Sequence, residues 1–181
     1  MTRTYLKLNT RLHSKDIAII GMMVATMEVG KLAMSFLPNI EPVTLFIILY
    51  TLVFGTNVFY AIFIFVALEG FMYGFGTWWF SYLYIWPLLA VMTMVFKKQT
   101  SLWFWTVFST IYGLSFGFLT SFVTLVISGP MAAFSYFIAG IPYDLLHGAG
   151  NFAMALILFT PLKKVLTLNR LHPDRIQEEK K

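Results

Sequence analysis

Six apolar runs, separated by breaks of only a few residues, leave this 181-residue chain few folds to choose from. They fall at about 17–37, 42–54, 58–75, 82–96, 102–127 and 132–162. The first is about 21 residues long, enough α-helix to cross a hydrocarbon layer roughly 30 Å thick. The breaks are made of turn formers: Pro38-Asn39-Ile40-Glu41-Pro42, Gly55-Thr56-Asn57, a glycine- and tryptophan-rich loop at 74–81, Lys97-Lys98-Gln99, and Ser128-Gly129-Pro130. A proline fixes its own φ, lacks an amide donor and turns the preceding residue away from helix. One helix should therefore stop near Leu37, and the next should open at Pro42, a good first-turn residue. Gly140 and Pro142 are positions where the last run can bend.

Hydrophobic residues make up 59% of the chain and charged residues 12%, with a mean hydropathy of +0.76. A soluble domain is about half apolar and one-quarter charged, and no core of this size hides so much apolar surface. The fold expected is an all-α membrane protein, a six-transmembrane-helix bundle with both termini cytoplasmic. Residues 1–16 form a basic cytoplasmic or interfacial segment, with Tyr5, Leu6, Leu8 and Leu12 on its apolar side. Residues 17–168 form the transmembrane domain and 169–181 a charged tail. No signal peptide is expected, because the N-terminal residues are polar and the first run exceeds a signal-peptide core. With no cysteine, disulfides and thiolate metal sites are excluded. The net charge of +5 is spread along the chain, which does not point to nucleic acid.

Charge decides the sidedness. Six crossings put Arg3, Lys7, Arg11, Lys15, Lys97, Lys98, Lys163, Lys164, Arg170, Arg175, Lys180 and Lys181 on one face, leaving only Lys31 inside a run. Five or seven crossings would scatter them. Positive residues favour the cytoplasmic face, so both termini should lie there and the Pro38–Pro42 loop outside.

Ionisable groups within membrane helices are costly and usually face the protein interior or a cavity. Here they are Glu28 and Lys31 in the first run, Glu69 in the third, and Asp144 and His147 in the last, with Glu41 at the mouth. The topology puts all of them in the outer half. Glu28 and Lys31, three apart, can meet as a structural ion pair or line a site. Asp144, His147 and Asn151 share one helix face by their spacing of three and four. Tyr73, Trp78 and Trp79 add aromatic surface near Glu69, though interfacial aromatic girdles do the same. The acids Glu28, Glu41, Glu69 and Asp144 against Lys31 suit a neutral or cationic ligand, and the aromatics suit a ring system.

Catalytic readings are weaker. His147-Gly-Ala-Gly-Asn151 matches the HxxxN element of CAAX-type intramembrane proteases, but the paired glutamates of those enzymes are absent. A metal site needs two or three converging ligands, and there is one membrane histidine. No P-loop is present. No enzyme activity and no cofactor are expected. A small proton-coupled carrier titrating Glu69 or Asp144 is the alternative transporter.

Gly21 and Ala25 make a small-xxx-small pair toward the cytoplasmic end of the first run, which allows close helix approach. Six short helices, a basic N-terminus, this pair and the Leu37-Pro38-Asn39-Ile40-Glu41-Pro42-Val43-Thr44 string resemble the substrate-binding S components of energy-coupling factor transporters, over about 14–168. The resemblance implies capture of a vitamin or vitamin precursor from outside a prokaryotic plasma membrane. It implies partners as well: a transmembrane coupling subunit and two cytosolic ATPases, with the S component toppling in the membrane to release substrate. The family's docking motif, usually Ala-x-x-x-Ala, maps to Gly21 and Ala25, with glycine a departure. Its first external loop, a lid, maps to Asn39, Ile40 and Glu41. Among family ligands cobalamin or a related corrinoid is the preferred candidate, with queuosine precursors and thiamine-like rings open.

Overall fold

The computed structural model describes residues 13–37 and 39–171, with side chains as far as Leu168. The helices are α1 (Ser14–Ala33), α2 (Val43–Phe54), α3 (Val58–Tyr73), α4 (Thr77–Val95), α5 (Leu102–Leu114), α6 (Phe116–Ser128) and α7 (Pro130–Leu171), with a 3-10 turn at Gly55–Asn57 between α2 and α3. No strand occurs among the described residues, so the chain is all-helical as expected. Four stretches are long and apolar enough to cross a membrane: Val43–Tyr73, Thr77–Val95, Leu102–Ser128 and Pro130–Leu168. Helix α1 carries Asp16, Glu28 and Lys31 and is not one of the four. Pro38, the basic segment 1–12 and the tail beyond 171 lie outside the described residues.

Within apolar helices a hydroxyl needs a local partner. Thr51 donates to the Ile47 carbonyl at 2.7 Å, Thr93 to Leu89 at 2.8 Å and Thr106 to Leu102 at 3.0 Å, each bonding back one turn along its own helix. No cross-helix partner is then needed.

Contacts between helices fix their directions. A Cβ built on Gly30 of α1 would lie 2.7 Å from Pro42 Cγ and 2.9 Å from a Phe46 ring carbon, so α2 starts hard against the end of α1. Farther back, the Thr26 and Tyr50 hydroxyls are hydrogen-bonded, and α2 therefore runs antiparallel to α1. At the 3-10 turn Gly55 adopts φ 64°, left-handed space that favours glycine, and α3 returns so that Glu69 meets Lys31. Val43–Tyr73 is thus folded back on itself. Helix α4 descends beside α3, with the Trp79 indole donating to the Val66 carbonyl at 2.8 Å. Tyr112 of α5 donates to the Ile85 carbonyl of α4 at 2.5 Å. Against α7, Asn151 Nδ2 donates to the Ser109 carbonyl at 3.1 Å and the Gly117 amide to Asp144 Oδ1 at 2.8 Å. Helices α5 and α6 are two halves of one leg bent at Ser115, whose hydroxyl bonds back to the Ile111 carbonyl.

Met23 and Met27 of α1, Ile47 and Ile48 of α2, Phe65 of α3, Trp86 of α4 and Trp105 of α5 are fully buried in one core. Lipid is as apolar as these side chains, so shape fit and the few interhelical hydrogen bonds, about 0.6–2 kcal/mol each, hold such a bundle.

Several boundaries differ from the sequence expectation. The first helix ends at Ala33 rather than near Leu37, and 34–37 turn through bonds such as the Leu37 amide to the Met34 carbonyl at 2.8 Å. Helix α4 begins at Thr77 rather than Tyr82, so Trp78 and Trp79 lie in its first turn and not in a loop. Helix α7 passes through Gly140, Pro142 and Pro161 as one 42-residue element.

Candidate functional site

The end of the bundle where α1, α2 and α3 meet collects most of the ionisable groups. Lys31 is ion-paired with Glu69 of α3, which is 0% exposed, and Glu28 lies close enough to Glu69 to feel its charge. The expected pair on α1 is therefore replaced by one between helices. Lys31 Nζ also stands 5.0 Å from the centre of the Tyr73 ring and 5.9 Å from that of Tyr82, positions that attract a cation. One oxygen each of Glu28 and Glu69 is buried without a protein partner.

The loop after α1 closes over this cluster. Asn39 adopts φ 57°, a left-handed conformation that asparagine tolerates better than most residues. Ile40 seats on α7, its Cγ2 3.0 Å from where a Cβ on Gly150 would be. Glu41 faces Lys31 and Glu69. Burial pushes its carboxyl above the ordinary value of 4.5, with the Lys31 ammonium pulling it down and Glu69 pushing it up.

Beneath the loop is a cavity of about 370 Å³ lined by Lys31, Met34, Asn39, Ile40, Glu41, Tyr73, Tyr82, Phe116 and His147, among others. A second, of about 350 Å³, is lined by Asn39, Trp78, Tyr82, Phe116, Gly117, Tyr136, Tyr143 and Asp144, among others. Asn39, Tyr82 and Phe116 belong to both, so the two adjoin. Asp144 is 6% exposed and His147 3%. Asp144 Oδ1 accepts from the Gly117 amide near the start of α6, a helix end that favours a carboxylate, while Oδ2 has no protein partner. His147 Nε2 likewise has none, and its ring centre is 4.8 Å from that of Phe116. Buried polar atoms are nearly always hydrogen-bonded, so unpartnered ones beside a cavity mark groups free to meet a guest.

The site residues expected from the sequence divide into four groups. Asn39, Glu41, Tyr73, Trp78, Asp144 and His147 line the adjoining cavities. Glu69 and Glu28 stand behind them through Lys31. Trp79 and Asn151 line neither cavity: Trp79 packs on Phe75 and bonds Val66, and Asn151 ties α7 to α5. Gly21 and Ala25 lie on the exposed face of α1, with nothing within 4 Å of a Cβ on Gly21.

Tyr82, Phe116, Tyr136 and Tyr143 were not expected as lining residues. Continuing the Asp144–His147–Asn151 stripe backward by turns reaches Gly140 and Tyr136, which was a readable signal. Phe116 is in the cavity because of the break at Ser115, for which the Gly113-Leu114-Ser115-Phe116-Gly117 string was the hint. No group of three His, Cys, Asp or Glu that could hold a metal ion occurs among the described residues. No family model, curated protein or solved structure matches the chain.

Proposed function

We propose that this chain is the substrate-binding subunit of an ATP-driven importer of the energy-coupling factor type, taking a small ring compound from outside. The observation that carries the reading is the pair of adjoining cavities under the Asn39–Glu41 loop, lined by aromatic rings and by Glu41, Asp144 and His147. In this proposal all six antiparallel legs cross a prokaryotic plasma membrane, and both termini are cytoplasmic. The described cations other than Lys31 support that orientation: Lys15, Lys97, Lys98, Lys163 and Lys164 lie at the end of the bundle away from the cavities. The exposed stripe of α1 through Gly21 and Ala25 is the docking face for a coupling subunit, which with two ATPases supplies the energy.

The ligand is neutral or cationic, because Glu28, Glu41, Glu69 and Asp144 outnumber Lys31. Ligand sites usually run from about 300 to 1,000 Å³, and each cavity is near the lower bound. Such dimensions favour a compound of one or two fused rings over the corrinoid preferred from sequence, which would need the loop to open widely. The test is mass spectrometry of the small molecule retained by the purified protein, followed by equilibrium binding without ATP. A retained ring compound that rebinds supports the proposal; a chain that retains and binds none of the family's vitamins or precursors overturns it.

A further inference from the structure

At the opposite end, a surface groove of about 370 Å³ lies between the start of α5 and the last turns of α7. Its floor is Phe159, which is buried, and Leu102; its rim is Lys163 and Lys164, with Thr100, Thr160 and Thr167 adding hydroxyls. Among the described residues no carboxylate lies within ion-pair distance of either lysine, and none lines the groove. Lys163 is held with Nζ 5.5 Å from the centre of the Phe159 ring. The approach to α5 is fixed by the Trp105 indole, which donates to the Gln99 carbonyl at 3.2 Å and so holds the loop leading to Thr100.

Depth identifies the occupant. Counted from Pro130, Lys163 lies about 50 Å along α7 at 1.5 Å per residue. A bilayer with its headgroups spans about 40–45 Å, so a tilted α7 carries Lys163 and Lys164 to headgroup level. Trp103, 61% exposed in the first turn of α5, marks the same level as an interfacial aromatic. Two ammonium groups and the hydroxyls of Thr100 and Thr160 above an apolar floor, at the height of lipid phosphates, match an anionic phospholipid with its acyl chains along α5 and α7; the Thr167 hydroxyl is engaged with the Lys163 carbonyl at 2.8 Å.

We infer that this groove is a binding site for an anionic phospholipid headgroup, held by Lys163 and Lys164. The inference needs only that the protein lies in a membrane and does not depend on what it transports. The test is native mass spectrometry of the full-length protein, titrated with phosphatidylglycerol or with phosphatidylcholine of the same acyl chains. Wild type should hold one phosphatidylglycerol in preference to phosphatidylcholine. K163Q/K164Q should bind phosphatidylglycerol about 30-fold more weakly, roughly fivefold per lysine. K97Q/K98Q, which removes the same charge from the neighbouring loop, should bind like wild type, and millimolar inorganic phosphate should not displace the lipid. Equal binding of the two lipids, equal loss in both variants, or displacement by phosphate would each overturn the assignment. Thermal unfolding checks that K163Q/K164Q is folded; if it is not, the single variant K163Q, expected to bind phosphatidylglycerol about fivefold more weakly, carries the test, and wild-type binding by it would overturn the assignment.

Discussion

Lys31 of α1 is ion-paired across the bundle with the wholly buried Glu69 of α3, while Glu28, one turn earlier on the same helix as Lys31, keeps a buried oxygen without a protein partner. Of the three carboxylates around it, Glu28, Glu41 and Glu69, the cation pairs with the one that ties α1 to α3. That choice fixes the height of α3 against α1 and sets the floor of the polar end.

Removing one partner of a buried pair leaves an uncompensated charge, a loss of about 3–5 kcal/mol, whereas removing both is far milder. Lys31→Met should therefore lower stability by about that much, and Lys31→Met/Glu69→Gln should recover most of it. Denaturant unfolding in detergent measures both. A double variant as unstable as the single would mean that the pair is not what holds α1 to α3.

Glu41 gives a pH dependence with a definite sign. Its carboxyl titrates above the ordinary 4.5 because burial disfavours the charged form, so the folded state binds the proton more tightly than the unfolded chain does. Its contribution to stability is fully present below the ordinary value and is lost as pH rises through the raised one. Glu41→Gln should flatten that part of the stability curve, becoming less sensitive than wild type to rising pH. Melting curves of both proteins across the acidic to neutral range check this, and parallel curves would exclude it.

Two glycines of α1 have opposite surroundings. A side chain at Gly30 runs into Pro42 and Phe46, whereas one at Gly21 meets open space. Gly30→Leu should destabilise the isolated protein by about 1–3 kcal/mol through overpacking. Gly21→Leu should leave its melting temperature and ligand binding unchanged, yet prevent co-purification with the coupling subunit. An intact complex from the Gly21 variant would remove the docking face from α1.

Gly117 and Asp144 are coupled by contact. A Cβ at Gly117 would lie 2.4 Å from Asp144 Oδ2 and 2.9 Å from its Cγ, so Gly117→Ala forces the carboxyl off the Gly117 amide. The cost should be about 1–3 kcal/mol in wild type and much smaller in an Asp144→Ala background, a non-additivity that a double-mutant cycle reads directly. Additive losses would mean that the carboxylate does not secure the start of α6.

The all-helical character and the positions of several breaks were legible because apolar run length and turn residues are local properties of the chain, whereas the split of the 102–127 run into α5 and α6 was not. The 3-10 turn at Gly55–Asn57 and the break after Val95 follow directly from them. Helix ends were less so: Met34 to Leu37 are apolar enough to continue α1, yet they turn because the chain must bring Pro42 against Gly30. The polar stripe of α7 was visible from spacing, but not the division of labour within it, since Asp144 and His147 face cavities while Asn151 bonds Ser109 on another helix. The partner of Lys31 was invisible for the same reason. Small-residue spacing pointed to Gly21 and Ala25, whereas the close crossing inside the bundle uses Gly113 and Gly148, the latter's Cα 3.1 Å from a Cβ on Gly113. Spacing along one helix says which residues share a face; only the neighbouring helix says what that face meets.

The transport proposal is tested most directly by uptake into proteoliposomes of the ring compound that co-purifies with the protein. The protein alone should bind the compound without accumulating it, and uptake should appear only with the coupling subunit, both ATPases and internal ATP. Accumulation by the protein alone, collapsing with a protonophore, would contradict the account and make it a proton-coupled carrier.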